Sequence, residues 1–289
     1  MRRSVEYFHP LVWFIYLLTV LIEAMLFIHP FFIAAGLFCA LTVCLTYCGV
    51  KKLFKTLAFA IPIFLLIALF NPLVNHGGRT VLFHIIGSTF TLEALIYGLC
   101  SGGMLLIIFI WFTVYNTIIT SEKFLFLFSR ILPSAALLIT MTQRMVPMFA
   151  RRTETISSAQ KTLLSDMSQG NLSTRFKSGL RTTSVLMSWS MEDGLDTADS
   201  MKARGYGVTR RSFFSLYRFR VSDALSIAAI ILCFLVTTAA YYLFVELRFY
   251  PSFYLPPLSF FGTVSVTAYS LLMLMPILAL FVDYNTNSK

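Results

Sequence analysis

Charged residues make up only 12% of these 289 amino acids, against 57% hydrophobic ones. With a mean hydropathy of +0.78, the chain has too little polar surface for a soluble domain of its size. Its composition is that of a membrane protein. Histidine is scarcer still, with four residues, none deep in an apolar run. The five cysteines, at 39, 44, 48, 100 and 233, lie almost wholly inside apolar runs. They have neither zinc-ligand spacing nor the pattern of an extracellular disulfide framework, and read as small packing residues. Intramembrane catalysis needs a nucleophile with a base, or clustered metal ligands. The apolar runs offer one carboxylate, Glu23, so no catalytic residues, metal or cofactor are expected.

Spans of about 20 apolar residues are needed to cross the hydrocarbon, and six candidates are present. They run from Leu11 to Ile28, Phe31 to Tyr47, Thr56 to about Val74, Ala94 to Ser121, Ala224 to Val245, and Phe260 to Val282. A further apolar stretch, Ile131 to Gln143, is too short to span and predicts a buried or interfacial helix. Met1-Arg2-Arg3 ahead of an apolar run mimics a signal peptide. No small-residue cleavage site follows, so the run is expected to stay as a span.

Lys and Arg collect on the cytoplasmic side of a membrane protein. With the N-terminus inside and six spans, 21 of the 23 Lys and Arg residues fall inside, leaving Arg79 and Arg248 outside. A seventh span at 131–143 would move about a dozen of them across. Both termini are therefore expected in the cytoplasm. The net charge of +10 is explained by anionic lipid and needs no nucleic acid, for which neither interleaved base-stacking aromatics nor a recognition fold is present.

The expected architecture is an all-α integral membrane protein of about six transmembrane helices. Residues 1–121 carry four spans, 122–221 form a large cytoplasmic helical region, and 222–289 carry two spans. The outside loop, Asn71 to Glu93, has a turn at His76-Gly77-Gly78 and two short β-prone runs around Gly87, predicting a small hairpin. Thr91 is placed to cap the fourth span, with Glu93 near its positive end. His76 and His84 lack a third metal ligand. An ionised Glu23 at bilayer depth costs about 2 to 3 kcal/mol on insertion scales. Its place near the outer end of the first span points to a neighbouring helix or the interface.

The hundred residues between the fourth and fifth spans are too many for a connector. Met141, Met145, Met148, Ile156, Ala159 and Leu163 form an apolar stripe on one helix, about 139–165, which Pro147 should bend. Met187, Met191, Leu195, Ala198 and Met201 do so on a second, about 183–205, with Glu192, Asp193, Asp196 and Asp199 on its other faces. Lys202 and Arg204 complement the dipole at its end, and Gly205 supplies the left-handed residue that stops it.

The motifs "FNPL" at 70–73, "TVLF" at 80–83 with "TLEAL" at 91–95, "QRMVP" at 143–147 leading to "SAQK" at 158–161, and "ADSMKARGYG" at 198–207 carry a resemblance. Most of the chain resembles the transmembrane T component of energy-coupling factor transporters, the CbiQ/EcfT family of ABC-type vitamin and metal-ion importers. In that family an Ala-Arg-Gly signature ends each of two cytoplasmic coupling helices. Ala203, Arg204 and Gly205 match it. The other copy is degenerate: after Ala159-Gln160-Lys161 the chain continues Thr162-Leu163-Leu164, with leucines at the arginine and glycine positions and Lys161 as the nearest cation.

The resemblance implies a multi-pass protein of the bacterial cytoplasmic membrane with no enzymatic activity of its own. Its implied partners are two cytoplasmic ABC-type ATPase subunits and one small membrane-embedded substrate-binding S component. ATPase coupling would fall to Gln160, Lys161, Lys202, Ala203, Arg204 and Gly205. Met141, Met145, Met148, Met187, Met191, Leu195 and Met201 would contact the S component. A self-contained secondary transporter or other permease is the alternative, but no two-fold repeat is visible.

Overall fold

The structure, a computed structural model, describes residues 8–74, 80–85, 88–162, 172–208, 217–244 and 260–287. Helices α1 (Pro10–Leu26), α2 (Pro30–Cys48) and α3 (Val50–Val74) come first. Strands β1 (Val81–Ile85) and β2 (Ser88–Thr91) follow, and then α4 (Leu92–Ile118), α5 (Ser121–Ser129), α6 (Pro133–Thr162), α7 (Leu172–Ala203), α8 (Val221–Phe244) and α9 (Phe260–Asn287). The protein is an all-α membrane protein carrying one small hairpin. Residues 1–124 with 217–289 form one compact unit, and residues 125–216 a second.

All six apolar segments are helical. α2, α3, α4 and residues 221–242 of α8 are each long and apolar enough to cross a membrane, while α1 and residues 262–277 of α9 are shorter apolar helices. α1 and α2 begin alike, with a His-Pro pair whose histidine is the N-cap and whose proline opens the helix. His9 Nδ1 accepts from the Leu11 amide at 3.2 Å and His29 Nδ1 from the Phe31 amide at 3.4 Å. Proline is tolerated there because the first amides of a helix have no partner within it. Burial pushes His29 down to about 4, which keeps the ring neutral and its Nδ1 an acceptor at neutral pH. Between α2 and α3 only Gly49 intervenes, at φ 79°, a conformation that glycine adopts without strain. α3 consequently starts at Val50, earlier than hydropathy alone placed it, and takes Lys51, Lys52 and Lys55 into its first turns.

The core of this unit is aromatic and aliphatic. Trp13, Tyr16 and Leu17 of α1, Phe32 and Val43 of α2, Ile110 and Trp111 of α4, and Tyr269 and Met273 of α9 are all buried in one cluster. Tyr16 Oη donates to the Met273 carbonyl and Tyr47 Oη to the Pro276 carbonyl, each at 3.0 Å. Proline inside α9 removes one helical amide, and the two hydroxyls hold the helix on either side of that break. α4 lies close on α3. A Cβ built on Gly98 would sit 2.8 Å from the Ala68 carbonyl oxygen, and one on Gly102 would sit 2.9 Å from the Phe64 ring. The two glycines are four residues apart, the small-xxx-small spacing that lets membrane helices approach. Asn71 Nδ2 then reaches Ser101 Oγ at 3.2 Å, and Thr56 Oγ1 pairs with Thr113 Oγ1 at 2.9 Å.

Glu23 is fully buried and faces α8, where Thr237 Oγ1 donates to its Oε1. Its other oxygen has no partner among the described residues. At the far end of α8, Asp223 accepts from the Arg220 amide at 2.9 Å and from the His9 amide at 3.2 Å. It thus caps α8 from its third helical position and ties it to the chain entering α1.

The expected hairpin is present, with β1 and β2 antiparallel, Ile85 opposite Ser88, and a register shift between Val81 and Phe83. His76-Gly77-Gly78 and Gly87 lie outside the described residues. The α4 start differs from expectation in its chemistry. Thr91 occupies the N-cap position but makes no side-chain cap hydrogen bond. Glu93 lies in the first turn, as expected, and also binds Thr80, accepting from its amide at 3.2 Å and from its hydroxyl at 2.8 Å, which pins the start of the hairpin to the helix that follows it.

Candidate functional site

The second unit is built around α6 and α7. The Ile131–Gln143 stretch is not a separate helix. Pro133 opens α6, which continues through Pro147 to Thr162, so this apolar segment forms its first turns. α7 starts at Leu172, eleven residues ahead of the 183 start expected from the sequence. The reason is tertiary, because Ser178 and Thr182 on its early turns are buried.

Two cross-links hold the pair. Thr182 Oγ1 donates to Gln160 Oε1 at 3.2 Å in a buried contact. Arg152 and Asp193 form a two-pronged ion pair, Nη1 to Oδ2 at 2.6 Å and Nη2 to Oδ1 at 3.0 Å. The Arg152 guanidinium also lies 5.1 Å from the centre of the Trp189 ring. Both groups remain about a quarter exposed, so the ion pair contributes about 1 kcal/mol, with a similar amount from the ring. Residue numbers fall on one helix as they rise on the other, so α6 and α7 are antiparallel.

This arrangement distributes the sequence-expected residues unevenly. Gln160 is buried against α7, while Lys161, one residue on, is exposed. Met141, Met145 and Met148 are half-buried and line a cleft of about 480 Å³ with Arg144, Arg152, Asp193, Asp196 and Thr197. The stripe on α7 does not cover α6: Met187, Met191 and Leu195 are 64%, 70% and 69% exposed, and Met201 is half-buried. Leu163 and Leu164 lie outside the described residues. Arg152, Trp189 and Asp193 were not legible as a group, since their partners come from different helices. Gly98 and Gly102 carried a readable signal in their four-residue spacing.

The end of α7 is a Schellman motif. The Tyr206 amide donates to the Met201 carbonyl at 3.0 Å, and the Gly205 amide to the Lys202 carbonyl at 2.9 Å, with Gly205 at φ 82°. This pair of bonds is what a left-handed residue after a helix makes possible. A second turn follows at once, closed by the Val208 amide on the Gly205 carbonyl at 3.2 Å, with Gly207 at φ 91°. Arg204 is therefore the C-cap residue, fixed by main-chain bonds, and its side chain is exposed. Lys202 is exposed too, 3.9 Å from Asp199. Among the described residues the Arg204 guanidinium has no ion-pair partner.

Nothing crowds a Cβ at Gly205, so its constraint is purely conformational. Gly205→Ala should loosen the last turn by about 1 kcal/mol, the cost of a left-handed alanine. Amide exchange at Gly205 and Tyr206 should then accelerate roughly fivefold, with the membrane unit unaffected.

Between Thr182, which marks the level of Lys161, and Arg204, α7 rises about 33 Å. The two sequence-expected docking ends thus sit at opposite ends of one helix pair. The family model described as CbiQ, cobalt transport protein, matches residues 1–214 of the chain. No curated protein matches it.

Proposed function

Since the chain belongs to the CbiQ family of cobalt transport proteins, we propose that it is the energy-coupling T component of an ABC-type importer for a vitamin or metal ion. In this reading the 125–216 unit is cytoplasmic and contacts two ATPase subunits, and a small membrane-embedded S component carries the substrate. The chain performs no chemistry. The observation that carries the reading is Arg204, presented on a Schellman-capped helix end with no ion-pair partner among the described residues. A guanidinium offers a rigid fork of donors for carboxylates or carbonyls on another protein.

Antiparallel packing supports two docking points. The level of Lys161, on α6, and Arg204, at the end of α7, are about 33 Å apart along the helix pair, a separation suited to two subunits rather than one groove. If ATP-driven closure displaces those subunits, the helix ends docked on them move too, and Gln160–Thr182 and Arg152–Asp193 keep α6 and α7 in contact as they do. The Met141, Met145 and Met148 cleft and the stripe of exposed Met187, Met191 and Leu195 with half-buried Met201 would pass that motion to the S component. Methionine suits a surface whose partner slides, because its unbranched chain repacks readily.

Affinity purification of the full chain from its native membrane in mild detergent tests this directly. The expected eluate contains ATPase subunits carrying nucleotide-binding motifs and one small apolar protein. Recovery of the chain alone, with uptake activity after reconstitution, would establish a self-contained permease instead.

A further inference from the structure

The first three turns of α7 are unlike the rest of that helix. Leu172, Phe176 and Leu180 are 79%, 70% and 55% exposed. At 3.6 residues per turn they occupy an arc of about 80°, with Arg175 about 60° beyond one edge, Lys177 about 60° beyond the other, and Arg181 about 40° farther round than Lys177. All three cations are exposed. Ser178 and Thr182, the buried residues of these turns, face away from that arc, Thr182 toward Gln160. No Asp or Glu occurs from Leu172 to Met191, whereas Glu192, Asp193, Asp196 and Asp199 crowd the later turns.

We propose that these turns are an anionic-lipid contact, in which Leu172, Phe176 and Leu180 enter the interfacial region of the bilayer and Arg175, Lys177 and Arg181 engage phosphate headgroups. A bulky apolar stripe bracketed by cations is the chemistry of a helix lying in the membrane surface. Negative surface potential favours each nearby cation by about fivefold in binding. Charge also sets the limit of the contact. Past Met191 the same potential repels the four carboxylates, so Leu195 is excluded although it is equally apolar and exposed. The occupant is a lipid surface because the chain is itself anchored in a bilayer, which keeps that surface at high effective concentration. The inference stands whether or not ATPase and S-component partners are found.

The test uses the full chain carrying Phe176→Trp in nanodiscs whose lipids bear brominated acyl chains, with the unsubstituted chain giving the background from Trp13, Trp111 and Trp189. In discs containing about one-third phosphatidylglycerol, fluorescence from the introduced indole should be quenched roughly twofold, at interfacial depth. In neutral phosphatidylcholine discs it should be nearly unquenched. Lys177→Gln with Arg181→Gln, both at exposed positions, should lower the preference for anionic discs about 25-fold, and high salt should do likewise. Equal quenching in both disc types, or none in anionic discs, would overturn the proposal. So would protection of the introduced indole that arises only when a protein partner is added, which would assign the surface to that protein.

Discussion

Arg204→Ala should give a chain that folds, inserts and purifies normally but no longer retains ATPase subunits. The contrast follows from how the residue is held. Its amide donates to the Ser200 carbonyl at 3.2 Å, and the helix end is closed by main-chain bonds from Gly205 and Tyr206. Removing the guanidinium leaves those bonds in place and costs only the ~0.3 to 1 kcal/mol of a cation at a helix C-terminus. In a desolvated interface, truncating a paired arginine costs about 2 to 5 kcal/mol, or a roughly 30- to 5,000-fold loss of affinity. Pull-down of the ATPases and substrate-dependent ATP hydrolysis in the reconstituted complex are the readouts. Arg204→Lys should recover only part of the binding, since an ammonium lacks the planar fork. A lower thermal midpoint with undiminished pull-down would reduce Arg204 to an ordinary helix terminus. Lys161→Ala should do less harm than Arg204→Ala, and equal damage would remove the asymmetry inferred for the two helix ends.

The second large effect is expected inside the membrane. Gly98→Leu should prevent α4 from seating on α3 and abolish recovery of monodisperse protein. A Cβ at Gly98 would meet main chain, the Ala68 carbonyl at 2.8 Å and its Cα at 3.3 Å, and main chain yields only if a helix moves. Gly98→Ala should already cost about 1 to 3 kcal/mol, visible as a lowered thermal midpoint in detergent. The same change at Gly194, in α7, meets nothing within 4 Å. It should stabilise its helix by about 0.8 kcal/mol. Equal effects at the two positions would mean that close approach of α3 and α4 is not what Gly98 serves.

The membrane helices were legible because a bilayer imposes one length on every apolar run. The end of α7 was legible because cations and a glycine converge within a few residues. What escaped the sequence depends on distant partners. Nothing local to 172–182 announces a helix, and it forms because Ser178 and Thr182 have α6 to pack against. The expected apolar face of α7 is real, but which face meets α6 was decided by Gln160 and Arg152. Glu93 lies in the first turn of α4, where its place near the helix dipole was expected, but its partner Thr80 could not be read from the local sequence. Of the candidate coupling residues, Arg204, Lys202 and Lys161 are surface groups, whereas Gln160 is buried.

The pairing of Glu23 with Thr237 also sets a schedule. The two residues are 214 positions apart, and translation at about 5–20 residues per second puts roughly 10 to 40 s between their syntheses. Throughout that interval the carboxyl of α1 is without its hydroxyl, and Tyr16 and Tyr47 wait longer for the carbonyls of α9. The membrane unit is thus closed by the last helices to leave the ribosome, and a nascent chain halted before α8 is a half-built bundle whose Glu23 carboxyl lacks its partner.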